Sequence, residues 1–220
     1  MILEPRVAAT IVDASATAII VLGVVLAGTR SIGRSIWLVA LQSALAGGAA
    51  VAAGLASGAF HVAFGGLVAI AVKGVLMPLV LGSILRRSTV RRERQLLDRR
   101  LLLFAALAIV FVAHGAAAGA TGTVGIGATR ALPAAIAAVL TGLLVIMTRR
   151  KAVSLVVGLL AFENGIALTA FALTYGMPLV IELGVVFDLL IAVVVAWVYA
   201  RRMLDTLGSL STDRLRSLRG

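Results

Sequence analysis

Long apolar stretches alternate in this chain with connections of two kinds, one crowded with arginine and the other nearly without it. Stretches long enough to cross a hydrocarbon layer of about 30 Å as helices run over residues 10–28, 36–56, 61–85, 101–120, 131–148, 152–174 and 179–200. Of the 20 lysines and arginines, 17 follow the first, third, fifth and seventh stretches. They are Arg30 and Arg34, the seven arginines between Arg86 and Arg100, the cluster Arg149, Arg150 and Lys151, and the five arginines after residue 200. The opposite connections hold Arg6 and Arg130. Cytoplasmic loops retain positive charge, so this pattern places the N-terminus outside and the C-terminus in the cytoplasm. An odd number of spans follows, and seven is the number read.

Hydrophobic residues make up 61% of the 220, well beyond the roughly 45–50% of a soluble domain, and charged residues only 13%. Lipid admits helices or closed barrels, and the two-residue alternation of a barrel strand is absent. The expected fold is all-α: a polytopic membrane helix bundle of about seven transmembrane helices. Glu4 and Asp13, with no basic leader and no small-residue cleavage site before Thr29, argue against a cleaved signal, so the first span is expected to be retained. The net charge of +11 is spent at membrane edges and does not form a nucleic-acid surface. Without cysteine the chain can form no disulfide, attach no c-type haem and ligate no iron–sulfur cluster, so any electron-transfer centre belongs to a partner. No cofactor or metal is expected in the chain itself.

The stretch Gly119–Gly127, GATGTVGIG, lacks both the Lys-Ser/Thr and the preceding strand of a phosphate loop. It reads as an external linker between a four-span portion, residues 1–128, and a three-span portion, residues 129–220, with a cytoplasmic tail over 201–220. Residues 86–100 read as a helical basic arm in the cytoplasm, suited to anionic lipid or to a cytoplasmic partner. Trp37, Trp197 and Tyr199 mark cytoplasmic ends of spans and Tyr175 an external end. The pairs Gly54 with Gly58 and Gly115 with Gly119 suit close approach of helix backbones.

Inside four of the stretches lies an ionisable residue. Lys73 precedes Arg86 by 13 residues, His114 follows Arg100 by 14, Glu163 follows Lys151 by 12, and Asp188 precedes Arg201 by 13. At about 1.5 Å per residue these offsets become roughly 18 to 21 Å, one shared depth near mid-membrane. Charges are costly there and usually line hydrated or proton-conducting routes. Glu163, in LLAFENGIALTAF, has no base within a helical turn of its own span. Lys73 lies beside Gly74, whose carbonyl loses its helical donor to Pro78, so a kink is expected there. His114 can relay protons or bond a neighbouring helix. Glu182, six residues before Asp188, should lie about 9 Å nearer the outer surface and face another neighbour. Asp13 and His61 fall at external ends. Groups at one depth, on helices about 8–10 Å apart, can pass protons sideways through side chains and ordered water.

The basic turn Arg149-Arg150-Lys151, Glu163 in FENGIALTAF, Asp188 thirteen residues before Arg201-Arg202, and the closing STDRLRSLRG recur in one order in a known group of proteins. Residues 131–220 resemble subunit K of bacterial NADH:quinone oxidoreductase (complex I) and the C component of Mrp-type sodium/proton antiporters. The whole chain is similar to hydrogenase-4 component E, which adds a front portion to such a three-helix module. The resemblance implies that Glu163 and Asp188 belong to a proton pathway along a membrane arm. Asp188 is one methylene shorter than the usual glutamate, and ELGVVFD, with Glu182 and Asp188, looks like the hydrogenase-linked branch. For Lys73 in KGVLMP the resemblance is to component E alone.

The resemblance further implies a non-catalytic subunit of a respiratory assembly of hydrogenase or formate-hydrogenlyase type in a bacterial or archaeal cytoplasmic membrane. Its neighbours would be antiporter-like subunits and a quinone-site or hydrogenase-arm membrane subunit. The alternatives are a subunit of an Mrp-type cation/proton antiporter without a redox partner, and a scaffold whose acids only fix packing. A self-contained enzyme is not expected, since no nucleophile or metal-ligand constellation shares a pocket.

Overall fold

The computed structural model describes residues 3–86, 93, 95–120 and 131–174. The expected seventh span, with Glu182, Asp188, Trp197 and Tyr199, lies outside the described residues, as do residues 121–127 of the expected linker and the tail, whereas Gly119 and Ala120, expected in that linker, are helical. Among the described residues every regular element is helical: α1 (Pro5–Gly28), α2 (Ile32–Ser57), α3 (Phe60–Ala69), a π-helical segment (Ile70–Leu76), α4 (Met77–Arg86), α5 (Arg99–Ala120), α6 (Ala131–Thr148) and α7 (Ala152–Thr174). These elements coincide with the first six apolar stretches. The protein is a multi-pass membrane protein: α1, α2, the continuous rod Phe60–Arg86 and α5 are each long and apolar enough to cross a bilayer.

Local chemistry sets the helix ends. Pro5 opens α1 at a position where a missing N–H costs nothing. The Ser31 hydroxyl accepts from the Arg34 N–H to cap α2, and Gly58, at φ 74°, closes it in the left-handed conformation that glycine adopts freely. Threonines within the apolar helices return their hydroxyl protons to their own backbone, as Thr17 does to Asp13 O and Thr169 to Gly165 O. The disturbance expected beside Pro78 takes the form of the π-helical segment, in which the Met77 N–H bonds Val72 O five residues back. The wider turn absorbs the break in the ladder that proline makes.

The interior is built from small residues. Helix α2 packs on α1, on the rod Phe60–Arg86 and on α7, α6 packs on α7 and α1, and α5 lies against α1 and α6. A β-carbon on Gly47 would meet Gly66 O at 2.7 Å, one on Gly54 would run into the Ala63 backbone, and one on Gly142 or Gly165 would strike the backbones of Phe162 or Val139. Helices meeting at such range gain from dispersion, because lipid supplies no hydrophobic drive between them. Gly54 therefore acts as expected, whereas Gly58 ends a helix and Gly115 has nothing within 4 Å of its β-position. Large apolar groups such as Phe60, Phe64, Phe104 and Phe111 face outward, where acyl chains or partner helices cover them.

Three of the arginine-bearing connections meet at one end of the bundle. Glu93, expected as an acid within a solvated basic helix, is instead buried and non-helical. Its Oε1 accepts from the N–H groups of Arg150 (2.7 Å) and Lys151 (2.6 Å), while its own N–H donates to Arg30 O at 2.9 Å. The Arg149 guanidinium lies 3.6 Å from Glu93 Oε2 and donates to Leu26 O and Thr29 O at 2.9 and 2.6 Å. Burial pulls Arg149 below its ordinary pKa and the Glu93 charge opposes that, but arginine stays charged in proteins. Gln95 adds a bond to Ala27 O at 2.9 Å. Glu93 and Gln95 thus belong to no free helical extension: with Arg149 they form a plug that satisfies the carbonyls left open at the end of α1.

Both the glycine seams and the plug can be broken singly. Gly142→Ala should cost about 1–3 kcal/mol of stability, the usual range for overpacking, and lower the unfolding temperature in detergent, whereas Gly48→Ala, with open space at its β-position, should leave it unchanged. Glu93→Ala should release the arginine-rich connection from the bundle end and speed its cleavage by trypsin, read as fragment yield over time.

Candidate functional site

Lys73 and Glu163 meet. The Lys73 Nζ lies 3.0 Å from Glu163 Oε1, with side chains 6% and 3% exposed. Ninety residues apart in sequence, they come from the π-helical segment and from α7. The π segment leans on α2, where Gly74 passes Ala44 and the Ala40 carbonyl at ordinary van der Waals range, 3.6 and 3.7 Å from its β-position. Small residues on α2 thus let the lysine reach toward α7. Glu163, which has no base on its own helix, takes one from another.

At an effective dielectric of about 20 two unit charges at this separation attract by about 5 kcal/mol, while removing each ion from water costs several. The pair nearly cancels its own cost, and each member alone would be far dearer.

Neutral polar groups adjoin it. Asn164 Nδ2 donates to Ser43 Oγ at 2.9 Å, joining α7 to α2, and Gln42 Nε2 donates to Ile19 O at 3.0 Å, joining α2 to α1. All three side chains are buried. The sequence signal for them is faint: a lone Gln-Ser pair in the apolar WLVALQSALAGG, and an asparagine beside the acid.

His114 stands apart. It is exposed on α5, which packs on α1 and α6, and its Nδ1 donates to Val110 O at 2.8 Å. Phe104, Leu107 and Phe111 lie on the same outward face. The structure does not bring His114 to the ion pair. His61 is exposed at the start of α3, and Asp188 and Glu182 lie outside the described residues.

No family model and no solved structure matches the chain. Over 89 residues it is 49% identical to an uncharacterized protein of Mycobacterium tuberculosis, covering 40% of each chain. Over 90 residues it is 33% identical to hydrogenase-4 component E of Escherichia coli K12, covering 41% of this chain and 42% of that protein, and the component E of Shigella flexneri matches equally. The matched part thus spans about two fifths of the length of these curated relatives.

Breaking a buried pair strands the surviving charge. Lys73→Met alone should cost about 3–5 kcal/mol, and the double variant Lys73→Met, Glu163→Leu should regain most of it. Thermal unfolding of the four proteins of this cycle in one detergent measures the coupling, and additive losses would show that the two side chains do not interact.

Proposed function

We propose that this chain is a non-catalytic membrane subunit of a complex I-related respiratory assembly, of hydrogenase or formate-hydrogenlyase type, and provides part of a lateral proton pathway within the membrane. The observation that carries this reading is the Lys73–Glu163 ion pair, buried in an otherwise apolar bundle and joining two spans. Ion pairs in that setting are costly and are kept where charge must move. The partial similarity to hydrogenase-4 component E supports the type of assembly.

In this reading the chain sits in a bacterial or archaeal cytoplasmic membrane with its N-terminus outside. Glu163 and Lys73 hold the central proton, Asp188 and Glu182 on the last span carry it onward, and His114 on the outward face of α5 hands it to a neighbouring subunit. Those neighbours are antiporter-like subunits on one side and a quinone-site or hydrogenase-arm subunit on the other. The resemblance of the last third to subunit K of complex I and to the C component of Mrp antiporters belongs to the same proposal. The arginine-bearing end faces the cytoplasm and its anionic lipid.

Purification of the intact assembly from native membranes identifies the companions: hydrogenase subunits support this reading, and antiporter subunits alone replace it with a cation/proton antiporter. In reconstituted vesicles Glu163→Gln should impair proton translocation while redox chemistry of the soluble arm partly survives. Undiminished pumping would reduce the pair to a packing device.

A further inference from the structure

The two halves of the buried ion pair are carried by units that are built separately. Lys73 belongs to the rod Phe60–Arg86, which interlocks with α2 backbone to backbone: a β-carbon on Gly66 would meet Gly47 O at 2.6 Å. Glu163 belongs to α7, whose glycine contacts are with α6, since Gly158 faces Ile146 and Gly165 faces Val139. Helix α2 packs on α7 as well, and the hydrogen bond that joins those two helices is between Ser43 and Asn164. Asn164 Nδ2 donates to Ser43 Oγ at 2.9 Å, and the same hydroxyl lies 3.2 Å from Asn164 Oδ1.

Both groups are buried, Ser43 1% and Asn164 2% exposed. A hydroxyl can give and accept, so the contact persists whichever way the amide is turned. Asn164 follows Glu163 directly, about 1.5 Å further along α7 and about 100° around it. Whatever fixes Asn164 against α2 therefore fixes the height and azimuth of Glu163 relative to the helix on which the Lys73 segment rests. Packed helices can slide by about 2 Å. A slip of that size at the α2–α7 face, taking the pair from 3.0 Å to about 5 Å, would cut an attraction that falls with inverse distance by about two fifths.

We propose that Ser43 and Asn164 are positioning residues for the Lys73–Glu163 pair: their bond holds α7 on α2 at the height and rotation that bring the carboxylate to the ammonium. Gln42, the adjacent buried polar residue of α2, takes no part, because its amide bonds Ile19 O of α1. The positioning stands on this geometry; its consequence for proton transfer rests on the proposed function.

The four-protein cycle of Lys73→Met and Glu163→Leu, repeated in full chains that carry a third change, measures the coupling of the pair apart from general stability. Most of that coupling should be lost with Ser43→Ala or Asn164→Leu and retained with Ser43→Thr, which keeps the hydroxyl. With Gln42→Leu it should be unchanged although the unfolding temperature falls. Ser43→Ala removes a single oxygen and carries the test if Asn164→Leu does not fold; undiminished coupling in Ser43→Ala overturns the proposal. In vesicles holding the intact assembly, Ser43→Ala should shift the pH profile of proton translocation per redox turnover, and in a Glu163→Gln background it should change nothing further. If Glu163→Gln slows translocation and Ser43→Ala leaves the profile in place, the role in transport is wrong and the proposed function stands. If neither has an effect, the proposed function fails and takes the transport role with it, while the positioning is decided by the coupling.

Discussion

Helices in lipid gain nothing by hiding apolar surface from one another, so this bundle must be held by what lipid cannot supply: backbone contact at the closest range and hydrogen bonds or charges that need a partner. Both kinds occur together. Gly47 against Gly66, Gly54 against Ala63 and the α6–α7 seam at Gly142, Gly158 and Gly165 bring axes close. Between those seams the bonds of Gln42, Ser43 and Asn164 and the Lys73–Glu163 pair decide which faces meet. A bundle of alanines and glycines alone would have many near-equal registers, and each internal polar bond removes most of them.

The same arrangement inverts the familiar distribution of side-chain size. Alanine dominates the interior, while phenylalanine, leucine and valine crowd the outside of the rod Phe60–Arg86 and of α5. In water that surface would aggregate; in a membrane it costs nothing. Polar groups are then conspicuous by position. One within the interior, like Glu163, is bound by its neighbours, and one on the outside, like His114, satisfies itself from its own helix through Val110 O.

Much of the fold was legible because membrane thickness is a ruler: apolar length marks six helices to within a few residues, and arginine placement anticipates that the connections after α1, near Asp98 and after α6 gather at one end. Such a ruler measures distance along a span, and it carries no azimuth. Lys73, His114 and Glu163 lie at similar offsets from basic clusters, yet two of them meet and the third points away, because helical spacing along one span says nothing about which face a neighbouring span covers. Pro78 announced a broken ladder without saying that a π-helical segment would absorb it. Glu93 was hidden by its arginine neighbours. Whether an acid in such a run points to water or inward depends on backbone groups of Arg150 and Lys151, far away in the chain.

The separations along the chain bear on how the protein is made. Ser43 waits for Asn164, 121 residues later, and the carbonyl of Leu26 waits for Arg149, 123 residues later. At the ribosome's usual pace of about 5–20 residues per second, the first hairpin spends several seconds in or beside the translocon before those groups exist. During that interval its serine and its open helix end must be sheltered by insertion machinery or by interfacial water. Nascent α1 and α2 are thus clients of that machinery, and the arrival of α7 is the event that lets them go.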